Sequence, residues 1–305
     1  MLPVLLVAFN RPKETARVIA RLREVKPARV YFAVDGAREG RSEETALVDQ
    51  TQQLAKEFDW DCELRTAFQA KNLGCGLGVS TAISWALTKE ESVIVLEDDV
   101  LPDPSFFPFC EELLERFKDD DRIFAISGCN YVPNEALVGI NSYRFSRIPH
   151  VWGWAVWKRS WDTYNFDIRN WKQEVSFSQL RKELGGSWIA ALIWTKLFDA
   201  VAEKKIDTWD FQLVFAVIRS NSLVATSNVN LIENIGFGKN ATHTANSPSY
   251  ILPTGAIRFP LVHSPVGCDK RSDLWIQRHV FGARLFSVGL LLAKYAVLKL
   301  RINHN

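Results

Sequence analysis

Cysteine is scarce and scattered in this chain. Five occur (Cys62, Cys75, Cys110, Cys129 and Cys268), an odd number with no C-x-x-C pair. That spacing excludes a disulfide framework and a zinc finger, and it fits a reduced, intracellular protein. Net charge is also nearly absent. Thirty-seven Lys and Arg stand against 35 Asp and Glu, a balance of +2 that is too even for an electrostatic nucleic-acid binder. No run approaches the roughly 18 apolar residues of a membrane span. The apolar stretch from Leu2 to Phe9 has no basic leader and no small-residue cleavage site, so it reads as a first strand and not as a signal peptide. The Asn240-Ala241-Thr242 sequon is then a chance match. What is abundant is apolar residue, 47% of 305, enough for a full core without staples.

The first half alternates strands and helices. Leu2–Phe9 is the near-continuous apolar run of a strand buried on both faces. Pro12 suits a helix's first turn, and Val18, Ile19, Leu22 and Val25 follow at helical spacing. Arg29–Val34 is a second strand. Ser42, with Glu43 and Glu44 behind it, predicts an N-cap and an acidic first turn for a helix to about Phe58. Cys62–Phe68 is a third strand, Val79–Leu87 a short helix and Ser92–Leu96 a fourth strand. This rhythm predicts an α/β fold, with a parallel sheet covered by helices on both faces. Beyond about residue 128 it dissolves. Eight of the 11 tryptophans lie between Trp152 and Trp209. The predicted organisation is a first half over 1–128, a second half over 129–264 and a helical, increasingly basic tail over 265–305.

Ligands of open parallel sheets bind beyond the carboxyl ends of the strands. Three such ends carry polar residues here: Asn10-Arg11, Asp35-Gly36 and Glu97-Asp98-Asp99. The last is the strongest signal, because three acids crowded after an apolar strand repel one another unless a cation or solvent relieves them. A hard divalent ion that also binds a diphosphate is the natural relief, against a plain solvated turn. Asp119-Asp120-Asp121 has no such placement and reads as a solvated loop. The glycines of Lys71-Asn72-Leu73-Gly74-Cys75-Gly76-Leu77-Gly78 either let a ligand approach a helix N-terminus or simply lead into the helix.

The order Val7-Ala8-Phe9-Asn10-Arg11-Pro12, Val34-Asp35-Gly36, Lys71-Asn72-Leu73-Gly74 and Val95-Leu96-Glu97-Asp98-Asp99 resembles the GT-A-fold, nucleotide-sugar-dependent glycosyltransferases. The E-D-D form is similar to that of N-acetylglucosaminyltransferase I-type enzymes. The resemblance runs from residue 1 to about residue 245. It implies a GT-A (nucleotide-diphospho-sugar transferase) fold with a mostly parallel central sheet, a nucleotide-sugar-binding half and a fused acceptor half. It further implies Asp99 as ligand of Mn²⁺ or Mg²⁺, and Glu97 and Asp98 at the ribose and sugar. Asn10, Arg11 and Asp35 fall at the nucleotide, although Asp35-Gly36 is equally a turn signal. Lys71 and Asn72 become donor-site residues, and Gly153 and Trp154 donor-sugar contacts. Trp157 and Trp161 are assigned to the core. Asp210, near a helix N-terminus, matches the base that deprotonates the acceptor, with helix capping as the bland alternative that Asp207 could supply instead. His243, favoured over His150 and His263, would complete the metal shell from a glycine-rich loop.

The function these readings point to is a metal-dependent glycosyltransferase moving a sugar, with inversion, from a nucleotide-diphosphate donor to a hydroxyl of a saccharide or lipid-linked saccharide. Surface polysaccharide or glycolipid synthesis is what the resemblance implies. The rivals are a sugar nucleotidyltransferase, disfavoured because no Gly-rich loop follows the first strand, and a non-catalytic carbohydrate-binding subunit. Phe281, Leu285, Val288 and Leu292 mark one stripe of the tail, among Arg278, Arg284, Lys294, Lys299 and Arg301. Such a basic amphipathic helix either lies on an anionic membrane or docks on the enzyme's own core. The expected location is cytoplasmic, reaching the inner face of the cell membrane in the first case.

Overall fold

The computed structural model describes residues 2–133, 141–237 and 250–283. Four parallel strands open the chain: β1 (Val4–Ala8), β2 (Arg29–Val34), β3 (Glu63–Phe68) and β4 (Ser92–Glu97). Later come β5 (Val100–Pro102), β6 (Ile123–Ser127), β7 (Tyr143–Ser146), β8 (Trp154–Trp157), β9 (Leu223–Ser227) and β10 (Ile232–Asn234). One eight-stranded sheet runs in the order β3-β2-β1-β4-β8-β6-β9-β7, and β10 pairs with β5 apart from it. Strands β8 and β7 run against their neighbours and the other six are mutually parallel. The expected α/β class with a mostly parallel central sheet therefore holds. The change of sequence texture near residue 128 falls within a continuous sheet, because β8 sits between β4 and β6.

Burial on both faces explains the unbroken apolar run of β1. Val4, Leu6 and Ala8 join one core with Val18, Ile19 and Leu22 of α1 (Pro12–Val25), and Leu5 and Val7 join another with Val79, Ala82 and Ile83 of α3 (Gly74–Leu87). Pro12 stands at the start of α1, where its missing N–H costs nothing. Helix α2 (Ser42–Gln53) begins one residue earlier than expected. Arg41 is the N-cap, and Ser42 is the first helical residue. Glu44 is not a solvated first-turn acid. Its carboxylate is buried, accepts from the Arg38 amide at 2.8 Å and pairs with the Arg38 guanidinium.

A third core fills the second half. Helix α4 (Phe106–Arg116) packs into the first of the two sheet cores and Trp161 of α5 (Lys158–Trp161) into the second, whereas this third core is built by α6 (Trp171–Glu174), α7 (Phe177–Glu183), α8 (Trp188–Ala202), α9 (Asp210–Arg219) and α10 (Lys270–His279). Trp171, Leu180, Trp194, Phe198, Phe215 and Ile276 are its buried centre. Trp157 and Trp161 are buried as expected. Among the described residues no helix is long and apolar enough to cross a membrane. Phe281, the first residue of the tail stripe, packs on Trp194 with ring centroids 4.8 Å apart. The rest of that stripe lies outside the described residues.

Candidate active site

Strand order reverses at β1, which has β2 on one side and β4 on the other, and a cleft of about 520 Å³ opens at the carboxyl ends of β1 to β4. Each strand delivers residues to it: Phe9, Asn10 and Arg11 after β1, Asp35 after β2, Gln69 after β3, and Glu97 and Asp98 at the end of β4. Asn72, Gly74, Cys75 and Gly78 from the start of α3 close one wall, and its floor is apolar, with Val7, Ala33, Ala67, Val79 and Ala82. A cleft of this size with an apolar base and a few converging polar groups suits a small, partly polar ligand.

Arg11 bridges the acids of the β4 end. Its guanidinium pairs with Asp99 and lies 3.3 Å from Asp98, whose other carboxylate oxygen accepts from the Phe9 amide at 3.0 Å. Burial raises the Asp98 carboxyl above its ordinary range, with the Asp99 charge adding to the rise. Glu97 is raised further, by burial first and then by the charges of Asp99, Asp98 and Asp210. Asp210 thus lies within electrostatic reach of the acid triad although 111 residues separate Asp99 from it. It is the first residue of α9, and its carboxylate accepts from the Phe211 amide at 2.9 Å and from the Thr208 hydroxyl. The Cys75 thiol reports the same crowding. Burial, then Glu97, Asp207, Asp210 and Asp99, push it up to about 12, so it stays protonated.

The glycine-rich segment differs from its expected form. Helix α3 starts at Gly74 and not at Val79, and its free amides already have partners. Asp207 accepts from the amides of Cys75 and Gly76, both at 3.0 Å. Asp35 accepts from Gly36, Leu73 and Gly74 amides and from the Asn72 side chain, at 2.9–3.1 Å. Two protein carboxylates therefore occupy the anion site of the helix N-terminus. The glycines make that possible. A Cβ at Gly74 would lie 2.6 Å from Asp207, and one at Gly76 would lie 2.6 Å from the Thr208 carbonyl. Gly74 also has φ +81°, a conformation that other residues resist. Asp207 does not cap α9, the alternative that its place near the helix start left open; it ties the segment leading to Asp210 onto α3.

The remaining expected residues divide. Asn10 and Asn72 face the cleft, with Asn10 donating to Glu44 at 3.3 Å. The Lys71 side chain is exposed and is not among the residues lining the cleft, and its backbone packs against Gly36. Trp154 is 1% exposed inside the sheet, stacked on Trp209 at 5.5 Å, so its ring does not reach a ligand. What it supports is the residue just before Asp210. Gly153 has φ +63°, and a Cβ there would sit 2.2 Å from Ile232, so it serves the close approach of β8 to β10. Trp152, just before it, is partly buried; its ring packs edge-on against Tyr131 at 5.7 Å and near Phe237 at 5.8 Å, and Tyr131 also meets Tyr250. His150 stacks on Tyr131 at 4.5 Å, 3% exposed.

His243 lies outside the described residues. The segment leading to it leaves from Asp99 itself: Ile235 donates to the Asp99 carbonyl at 2.8 Å, and a Cβ on Gly236 would fall 2.1 Å from the Asp99 carboxylate. Among the described residues no three His, Cys, Asp or Glu side chains gather as a closed metal cage. The donor set is instead a short run of carboxylate oxygens, which suits a hard ion that takes its other ligands from phosphate and water.

No protein-family model and no curated protein matches the sequence. Among solved structures, the chain is similar to the mannosyltransferase PcManGT from Pyrobaculum calidifontis in complex with GDP-Man and Mn²⁺, at 14% identity and a TM-score of 0.37, covering 71% of this chain and 69% of that one. It is also similar to a UDP-glucose pyrophosphorylase complexed with UDP-glucose, at 9% identity and 0.35, covering 74% and 90%. Mouse xyloside xylosyltransferase 1 in its apo form matches at 13% and 0.34, covering 71% and 81%. Likenesses this slight carry no weight for function, which rests on the cleft.

Proposed function

We propose that the chain is a GT-A-type glycosyltransferase that binds a nucleotide-diphosphate sugar in the cleft and transfers the sugar, with inversion, to a hydroxyl acceptor. The observation that carries the reading is the charge of the site. Glu97, Asp98 and Asp207 line the cleft where an α/β sheet binds its ligand, Asp99 and Asp210 stand within electrostatic reach of them, and Arg11 pairs with the acids after β4. A diphosphate enters such a site only with a cation, so the acids and the ligand imply a divalent ion together. Asp99 would hold Mn²⁺ or Mg²⁺, with phosphate oxygens and, from the sequence, His243 as further ligands. That ion supplies neutralisation of the charge that builds on the departing diphosphate.

The chain's own groups supply the rest. Phe9, Asn10 and Asn72 border the apolar floor that would receive the base and ribose. Asp210, at the start of α9, takes the proton of the acceptor hydroxyl as its oxygen attacks the anomeric carbon, and the bond from that carbon to the diphosphate breaks on the opposite side. Asp207 and the Trp154–Trp209 stack hold the segment that presents Asp210. Surface polysaccharide or glycolipid synthesis fits a hydroxyl acceptor of this kind.

A sugar nucleotidyltransferase is the rival, and the direct entry of Phe9-Asn10-Arg11 into α1, with no glycine-rich loop between, argues against it. The products separate the two. Incubation with nucleotide-diphosphate sugars and mixed saccharide acceptors should release nucleoside diphosphate. Pyrophosphate release from a nucleoside triphosphate and a sugar 1-phosphate, with no nucleoside diphosphate in the first assay, would refute the transferase reading.

A further inference from the structure

Away from the cleft, α7, the start of α8 and the outer face of α10 carry a surface whose charge does not resemble the rest of the chain. Over residues 175–198 and 270–283 the cations are Arg181, Lys182, Lys196, Lys270, Arg271 and Arg278. Only two acids occur in those stretches, and both are withdrawn. The Glu183 side chain is 8% exposed and pairs with the Arg147 guanidinium at 2.9 Å. Asp273 is 3% exposed and accepts from the Arg147 amide at 2.9 Å. One residue of the neighbouring strand end thus takes both negative charges inward. A chain of net charge +2 thereby presents one face that is basic throughout.

Apolar groups stand among these cations. Trp188, at the first position of α8, is 60% exposed, and Leu192 one turn on is 45% exposed. The Trp188 ring is held in place by Phe177, 5.3 Å away, and by the Arg181 guanidinium 4.6 Å over its face. The two helical regions are side by side. Leu274 of α10 lies where a Cβ on Gly185 would meet it at 3.2 Å, and Trp194 of α8 donates to Gln277 at 2.9 Å. An exposed Trp and Leu, with Arg181 over the Trp and further Lys and Arg on the same helices, match the headgroup layer of an anionic bilayer, where indoles settle at the interface and basic side chains meet lipid phosphate and carboxylate. Leu192 and Leu274 gain nothing from nucleic acid, which offers phosphates and ring faces but no apolar depth.

We propose that this α7–α8–α10 face docks the protein on an anionic membrane surface, whatever reaction the cleft performs. The test is co-sedimentation of the full chain with phosphatidylcholine vesicles with and without phosphatidylserine. Binding is expected only with phosphatidylserine and should weaken as salt rises. Lys182→Glu with Arg271→Glu, both at exposed positions, should lower partitioning at least about 25-fold, taking about fivefold for each basic residue lost. Trp188→Ser should lower it as well, with the salt dependence unchanged and no effect on binding to soluble heparin. Thermal melting confirms that each variant is folded. Three outcomes would overturn the proposal: no binding of the full chain to phosphatidylserine vesicles at low salt; full binding by the Lys182/Arg271 variant, which places the contact elsewhere, such as in residues 284–305; or loss of heparin and vesicle binding in parallel in the Trp188 variant, which marks a site for a soluble acidic partner.

Discussion

Gly76→Ala and Gly78→Ala place the same methyl group two residues apart in the first turns of α3, and the structure gives them opposite signs. In a helix, alanine is favoured over glycine by about 0.5–1 kcal/mol. At Gly78 the added carbon would lie 3.4 Å from the Asp35 carboxylate, an ordinary contact. Gly78→Ala should therefore stabilise the fold by up to about 0.5–1 kcal/mol. At Gly76 it would lie 2.6 Å from the Thr208 carbonyl and 2.7 Å from Asp207, and the carbonyl is backbone that cannot swing aside. Overpacking of that kind costs about 1–3 kcal/mol. Pushing Asp207 off the Cys75 and Gly76 amides removes a cap of about 1 kcal/mol more. The net for Gly76→Ala is a loss of about 1–3 kcal/mol, read as a lower urea midpoint at unchanged slope. Because residues 207 and 208 lead directly to Asp210, turnover of the folded variant should fall too. A Gly76→Ala protein as stable and active as the parent would refute the clamp between α3 and the 207–210 segment.

Asp210→Asn should lower kcat by roughly 10²–10⁴-fold, the usual worth of a positioned base, while donor affinity changes little; collapse of donor binding with kcat preserved would move Asp210 to the donor side. His243→Ala should weaken metal-dependent donor binding more than metal-free nucleotide binding, measured by calorimetric titration with and without Mn²⁺, and equal losses in both would remove His243 from the metal shell. Burial, with help from the Arg144 charge, lowers His150 from the usual 6.5 to about 3. The unfolded chain therefore binds a proton near pH 6.5 that the folded chain refuses, so this contribution to stability is complete above that pH and is lost as pH falls from it toward 3. At about 1.4 kcal/mol per pH unit, the parent should lose roughly 2 kcal/mol more than His150→Gln between pH 6.5 and 5, in urea titrations at the two pH values. Equal losses would mean that His150 is protonated in the fold.

The parts of this fold that the sequence announced are those decided locally. Strand β2 spans Arg29–Val34 as read, because its apolar run ends at Asp35-Gly36, and α1 starts at Pro12 for reasons carried by one residue. The acid triad followed from its place after β4. What was hidden depends on distant partners. Three glycines in five residues disfavour a helix start at Gly74, and the helix forms there because Asp207, 131 residues from Gly76, satisfies its amides. The same contact makes Asp207, which local sequence offered only as an alternative cap of α9, a brace on α3. The Trp152–Trp157 segment shows a different limit. Strand β8 is buried on both faces between β4 and β6, so no polar alternation marks which tryptophan points where, and Trp154 is fully buried while Trp152 is only partly so. Glu44 is a first-turn acid as read, and nothing local reveals that Arg38 would fold back onto it.

The most direct test of the account is a calorimetric titration of nucleotide-diphosphate sugars into the parent protein and into Asp99→Asn, each with Mn²⁺ and with excess EDTA. The parent should bind at least one such donor in Mn²⁺ and lose most of that affinity in EDTA. Asp99→Asn, still folded, should bind weakly and equally in both. A donor bound as tightly in EDTA as in Mn²⁺, or an Asp99→Asn protein that keeps the full metal effect, would contradict the claim that the acids after β4 take a metal with the diphosphate.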